Sequence, residues 1–434
     1  MLKTVATLAL AAAGAVLFLG SPAWAAAGTP PDSGSVAWVL TASALVLFMT
    51  LPGLALFYGG LVHARNVLSV LMHCFAIAAI VSILWALCGY SLAFSGGGAV
   101  IGSLAKSVLA GVDTTVLPNG LPENAFTMFQ MTFAIITPAL IVGAFVERVS
   151  FPFVVLFSAL WLLLVYVPVA HWVWGGGWAA GLGVLDFAGG IVVHTSAGVA
   201  ALVAAILIGK RRGFPASLTP PHNPGMTMAG AGMLWVGWFG FNGGSALAAN
   251  STAAAAILAT HLAAAAGAAT WTTLEWIKIR KPTSIGAVTG CVAGLATITP
   301  ASGFVGPAGA LVIGAAGGAI CLYVTVFVKQ RLVIDDSLDV FAVHGVGGIL
   351  GSLLVAIFAV TSLGGVGLAR GIGWAHQLGI QALVVAAVAA WSGFVTFVLV
   401  KAIGAVTAVR VGAQEEFDGL DLSTHGERAY EYEG

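Results

Sequence analysis

The sequence predicts an all-α integral membrane protein of eleven transmembrane helices, built as an inverted five-helix repeat with a further helix at its C-terminal end. Three observations lead there. Apolar runs long enough to cross a bilayer recur eleven times, lysine and arginine gather in alternate loops, and two short motifs return in the same order five spans apart.

Composition sets the class. Of the 434 residues, 59% are hydrophobic and 7% charged, with a mean hydropathy of +1.03, whereas a soluble domain carries roughly a quarter of charged residues. A net charge of +0 offers no electrostatic hold on nucleic acid. The 58 glycines are interleaved with the apolar runs, as suits membrane helices whose backbones approach closely. Cys74, Cys88, Cys291 and Cys321 stand singly, with no CxxC, and read as small buried hydrophobes. No metal site, cofactor or enzymatic constellation is expected.

The N-terminus reads as a signal peptide over residues 1–25: Lys3, an apolar stretch over 5–19, then Ala23-Trp24-Ala25 as a small-x-small cleavage site. A transmembrane domain is expected over 35–409 and a cytoplasmic tail over 410–434. A crossing takes about 20 apolar residues, which places spans near 35–60, 67–95, 124–146, 150–170, 190–209, 226–248, 251–277, 284–302, 305–328, 340–361 and 375–402. With the mature N-terminus outside, Arg65, Arg148, the basic run at 210–212, Lys278, Arg280, Lys281, Lys329, Arg331, Lys401, Arg410 and Arg428 all fall on the cytoplasmic side. Only Lys106 and Arg370 fall outside.

The repeat is carried by Phe57-Tyr58-Gly59-Gly60 in span one against Phe241-Asn242-Gly243-Gly244 in span six, and by Val193-His194 in span five against Val343-His344 in span ten. Five crossings invert the second copy, an architecture that puts the substrate path between the repeats. Asp186 precedes His194 and Asp339 precedes His344, each suited to cap a helix start. The histidines then converge only if those starts are sunk below the membrane surface.

Ionisable residues within spans are costly and commonly functional. His194 and His344 read either as interhelical hydrogen-bonding residues or as pore residues, and their matched places in the two repeats favour the pore. Asp186 reads as a cap or as an ion contact. His73 and His261 lack repeat partners and read as packing residues; His171 and His376 read as interfacial. Phe126, Phe129 and Phe133 share one face of span three, and Trp235, Trp238 and Phe241 another, with Ser245 one turn on. Such rings serve as interfacial belts, but a cluster of ring faces with a hydroxyl also suits a small cation.

Over nearly the whole mature length, the chain resembles the ammonium transporter (Amt/Mep/Rh) superfamily. The matching stretches are LFYGGL at 56–61, WGGGWAAGLGVLDFAGG at 174–190, 192–194, WFGFNGGS at 238–245, DVFAVHG at 339–345, SLGGVG at 362–367 and EEFDGLDLSTHGERAY at 415–430. The resemblance implies a homotrimer in the bacterial inner membrane with one pore per subunit. It implies ammonium recruitment by Phe133, Trp174 and Ser245, a gate of Phe129 stacked with Phe241, and the paired pore histidines His194 and His344. Asp186 and Trp238 would hold the outer site together, and Trp174 with Ser245 favours the Amt branch over Rh-like gas channels. The acidic tail, which alone would read as a solvated extension, resembles the family's C-terminal region and implies a PII-type signal protein as cytoplasmic partner. The competing readings are an ammonium sensor, which usually carries an appended signalling domain, an Rh-like channel, and a membrane enzyme.

Overall fold

Helices begin where a short polar side chain accepts the first free backbone N–H groups. Asp32, Ser150, Asn223, Asn250 and Thr283 each do this at the start of a span, and Pro152, Pro224 and Pro307 occupy first-turn positions that need no N–H. The computed structural model describes residues 31–217 and 219–430, so the expected signal peptide lies outside the described residues. Within them run α1 (Ser33–Leu61), α2 (Ala64–Phe94), α3 (Glu123–Val142), α4 (Phe151–Gly181) and α5 (Gly190–Ile208). The second half comprises α6 (Pro224–Trp238, prolonged by one wide turn Phe239–Gly243), α7 (Ser251–Ile279), α8 (Ser284–Ile298), α9 (Pro307–Arg331) and α10 (Phe341–Phe358). The eleventh crossing, α11 (Trp374–Gly404), is followed by the short α12 (Ala413–Asp418) and α13 (Leu420–His425).

Nine of the crossings are long, apolar helices; α8 is shorter, and α6 reaches its full length only with its wide turn. Phe75, Leu164 and Phe394 are exposed on the bundle's flanks while Thr132, Thr195, Asn242 and Thr297 are buried. This distribution suits a hydrocarbon surround, which gives interior polar groups their value as glue between helices.

Inverted symmetry shows in the backbone. Wide π turns interrupt α1 at Met49–Leu54 and α6 at Phe239–Gly243, the first helix of each half. They also open α5 at Gly190–Thr195 and α10 at Phe341–Gly345, the fifth of each. Such turns free carbonyl groups and concentrate at functional places. Here they carry Phe241, His194 and His344.

Glycine lets α5 and α10 touch. A Cβ on Gly198 would lie 2.2 Å from the Gly345 backbone, and one on Gly348 would lie 2.5 Å from the Gly190 carbonyl oxygen. Any larger residue at either place would push the two helices apart. Along the outside of this pair runs α11. Its Ser392 hydroxyl donates to the Ser196 carbonyl (2.7 Å), and Gln381 bridges Leu185 and Ser352 (2.8 Å each).

At the bundle's basic end, Arg148 is fully buried and donates to the carbonyls of Ala144, Val146, Gly209 and Asp335 and to Ser337 Oγ. The tail folds against the same end. Asp421 accepts from the backbone N–H groups of Leu68 and Ser69 near the start of α2. Glu416 accepts from Arg212 N–H and pairs with Arg410, and the Phe417 ring lies under the guanidinium groups of Arg65 and Arg212. Glu416 and Asp421 thus tie the tail to the end that carries the basic loops.

Candidate functional site

The candidate site is built from the heads of α5 and α10 and the wide turn of α6. Asp186 accepts four backbone N–H groups: Gly189 (3.0 Å) and Gly190 (2.6 Å) on one carboxylate oxygen, Ile191 (2.9 Å) and Val192 (3.0 Å) on the other. Its own carbonyl receives the Trp174 indole N–H (2.9 Å). Asp186 is therefore a cap whose acceptors are occupied by backbone, and it orients Trp174 through the main chain.

The matching cap of α10 is not the aspartate expected from sequence. Asp336 accepts from Val340 N–H (3.1 Å) and Phe341 N–H (2.7 Å). Asp339 instead adopts a left-handed backbone (φ 61°) and pairs with Lys329 (2.8 Å). Each cap stands eight residues before its histidine, 186 to 194 and 336 to 344. Counting back from the histidines finds Asp336, whereas choosing the nearest aspartate does not.

Both helix starts are buried, and the histidines meet. The His194 and His344 rings lie 5.2 Å apart at 20°, with Nδ1 facing Nδ1 at 3.3 Å. Such a contact needs one ring to donate and the other to accept. Two neutral rings sharing it therefore hold opposite tautomers, one offering a lumenal N–H and the other a lone pair. His194 Nε2 is buried with no protein partner. Trp238 lies nearly parallel to His194 (5.5 Å, 23°), and Phe241 lies 6.0 Å from it. The narrow cavity around the pair is otherwise apolar, lined by Met49, Leu54, Ile136, Leu140, Val193 and Leu234 among others.

Towards the opposite mouth the aromatic order differs from the expectation. The ring stacked on Phe241 is Phe133 (4.1 Å, 21°), not Phe129. Phe129 meets Phe133 edge-on (4.9 Å, 65°) and packs on Gly244, beside Ser245. α3 runs from this mouth inward, so residue 129 necessarily lies one turn nearer the mouth than 133. The direction of the span contained that information. Trp174 meets Phe133 edge-on at 6.0 Å, and the partly exposed Ser245 donates to the Phe241 carbonyl (2.8 Å), leaving its oxygen able to accept. This mouth presents ring faces, a hydroxyl oxygen and no formal charge among these residues.

On the other side of His344 a second, wider cavity forms a charged vestibule lined by His63, Glu147, Arg211, Lys329 and Asp339 among others. Glu147 accepts from His63, Asn66 (3.0 Å) and Arg211 (2.9 Å). Burial opposes its charge, but the His63 hydrogen bond and the Arg211 guanidinium prevail and hold its carboxyl well below the usual carboxylate range. His171, expected at the interface, is buried instead: its two ring nitrogens reach the carbonyls of Ala93 (2.9 Å) and Gly98 (2.8 Å) and pin the loop after α2.

Comparison with known proteins agrees along the whole bundle. The model of the Ammonium Transporter Family matches residues 37–430. The ammonium transporter of Bacillus subtilis is 49% identical over 392 residues, covering 89% of this chain and 96% of that protein. Ammonium transporter Amt1 of Archaeoglobus fulgidus is 46% identical over 401 residues, covering 92% and 100%. Among solved structures, a sensor Amt protein superposes with a TM-score of 0.85 at 32% identity, covering 90% and 98% of the two chains. Saccharomyces cerevisiae Mep2 gives 0.80 at 36%, covering 89% of each.

Proposed function

The chain belongs to the ammonium transporter family, and from that premise we propose that it collects ammonium at its aromatic mouth, strips one proton and passes ammonia between His194 and His344. The gathering of lysine and arginine in alternate loops supports a cytoplasmic side for the charged vestibule in a bacterial inner membrane, with ammonium entering from the aromatic side. Phe129, Trp174 and Ser245 hold the cation through ring faces and one oxygen acceptor, with Phe133 lying under the same site. The Phe133–Phe241 stack closes the way to water and hydrated ions. The observation that supports this reading best is the stacked histidine pair inside an otherwise apolar passage.

The energetics favour a neutral traveller. Taking an intact cation into a dry interior costs on the order of 20 kcal/mol in the idealised limit and several kcal/mol after relaxation. Losing a proton near pH 7 costs an acid of lysine-like strength about 4–5 kcal/mol. The imidazoles then give ammonia one donor and one acceptor along the path. Potassium has no proton to lose and stays outside.

The test is ammonium and methylammonium uptake into proteoliposomes with current recorded together, and potassium as control. Uptake that excludes potassium supports the proposal; potassium passing as readily as ammonium ends it. A sensor Amt protein shares the fold, but full-length relatives described as ammonium transporters at up to 49% identity favour transport. The same uptake experiment separates the two, since a sensor need not move its ligand.

The family resemblance supports a homotrimer, which a monomeric mass in detergent would rule out. It also supports a PII-type protein docking on the cytoplasmic face against the folded tail. Full-affinity binding of such a protein after deletion of residues 411–434 removes the tail as its docking site, and no binding to the full chain removes the partner.

A further inference from the structure

Between the phenylalanine stack and the first histidine, one wall of the passage is the Trp238 indole. Trp238 lies 5.7 Å from Phe241 and 5.5 Å from His194, at 56° and 23°, so a rotation of this ring changes the opening against both neighbours. The ring is buried, and its one polar atom donates to Thr299 Oγ1 (2.9 Å).

Thr299 closes the C-terminal end of α8. Its own hydroxyl proton goes to the Leu295 carbonyl (2.8 Å), which turns the oxygen lone pairs towards the indole. The direction of the hydroxyl is thus set by helix α8, and the tilt of the tryptophan by the hydroxyl. The neighbouring Pro300 ring packs on Gly190 at the head of α5, where an added Cβ would lie 2.4 Å away. The end of α8 is therefore seated against the same helix that carries His194.

We propose that Thr299 is a positioning residue that sets the width of the passage, through Trp238, and so decides how far the pathway separates ammonium from its methylated analogue. Its hydroxyl is engaged by Trp238 and Leu295, so it acts through the tryptophan wall that the substrate passes. The inference rests on the transport reading above.

The experiment compares ammonium and methylammonium uptake in proteoliposomes for the unsubstituted chain, Thr299→Val and Thr299→Ser. Valine keeps the volume and removes the acceptor; serine keeps the hydroxyl. The expected result is a ratio of ammonium to methylammonium rates altered about threefold or more by valine, since fit around a single methyl group decides discrimination of that kind. Serine restores the original ratio. If valine prevents membrane insertion, Thr299→Ala, which also lacks the acceptor, carries the same comparison. An unchanged ratio in the hydroxyl-free variant, with the unsubstituted chain transporting, overturns the role of Thr299 alone. No uptake by the unsubstituted chain overturns the transport reading itself.

Discussion

At the head of α5 the Asp186 carboxylate gathers four backbone N–H groups, and at the head of α10 Asp336 gathers two. The two copies share the spacing to the histidine, the π turn and the glycine contacts, yet they open onto different surroundings. The first sits beside uncharged ring faces and Ser245; the second leads to Glu147, Arg211, Lys329 and Asp339. The repeat therefore supplies a symmetrical frame for the histidines, and the mouths carry the asymmetry. On the proposed function, the uncharged aromatic side would attract a cation without trapping it, and the charged side would receive the neutral product.

The sharpest way to break this comparison is to remove charge from each cap. An asparagine offers one acceptor oxygen in place of two, so Asp186→Asn strands two buried N–H groups and Asp336→Asn one. At about 1–3 kcal/mol per stranded group, the first loses at least 2 kcal/mol and the second about half as much. Thermal unfolding in detergent reads this, and equal losses would mean that the caps carry equal loads despite their geometry. Next come the histidines. His194→Ala and His344→Ala are each expected to reduce selectivity for ammonium over potassium about tenfold, a change of about 1.4 kcal/mol. Unchanged selectivity in either flux assay would break the pairing.

The smallest effect belongs to the vestibule. Glu147→Gln is expected to cost on the order of 1 kcal/mol of stability, from a charge-assisted bond whose partners are partly exposed. Because the folded-state pKa of Glu147 is depressed, its contribution is present above the ordinary carboxylate value near about 4.3 and is lost as the pH falls below it. The difference in melting midpoint between the two proteins should hold from pH 7 to about 5 and narrow in stronger acid. A difference that widens on acidification contradicts the assigned direction.

Much of the frame was legible because a bilayer demands long apolar segments and uncharged interiors. The crossings, the basic loops and the two histidines all follow from that demand. Residues whose roles depend on the third dimension were harder. Asp339 was the nearer aspartate, but its left-handed backbone and its bond to Lys329 take it out of the cap. Phe129 and Phe133 share a face at helical spacing, and only depth tells which one meets Phe241. Thr299 carries no sequence signal at all, because its role comes from a hydrogen bond to a residue 61 positions away.

The glycine contact between α5 and α10 has a consequence for how the protein is made. His194 and His344 are 150 residues apart in the chain, so α5 enters the bilayer on synthesis with a polar head and an open groove that only α10 can fill. Until the tenth helix arrives, that groove must be sheltered by lipid, insertion machinery or neighbouring helices. The paired-histidine site is therefore complete only once α10 has joined α5.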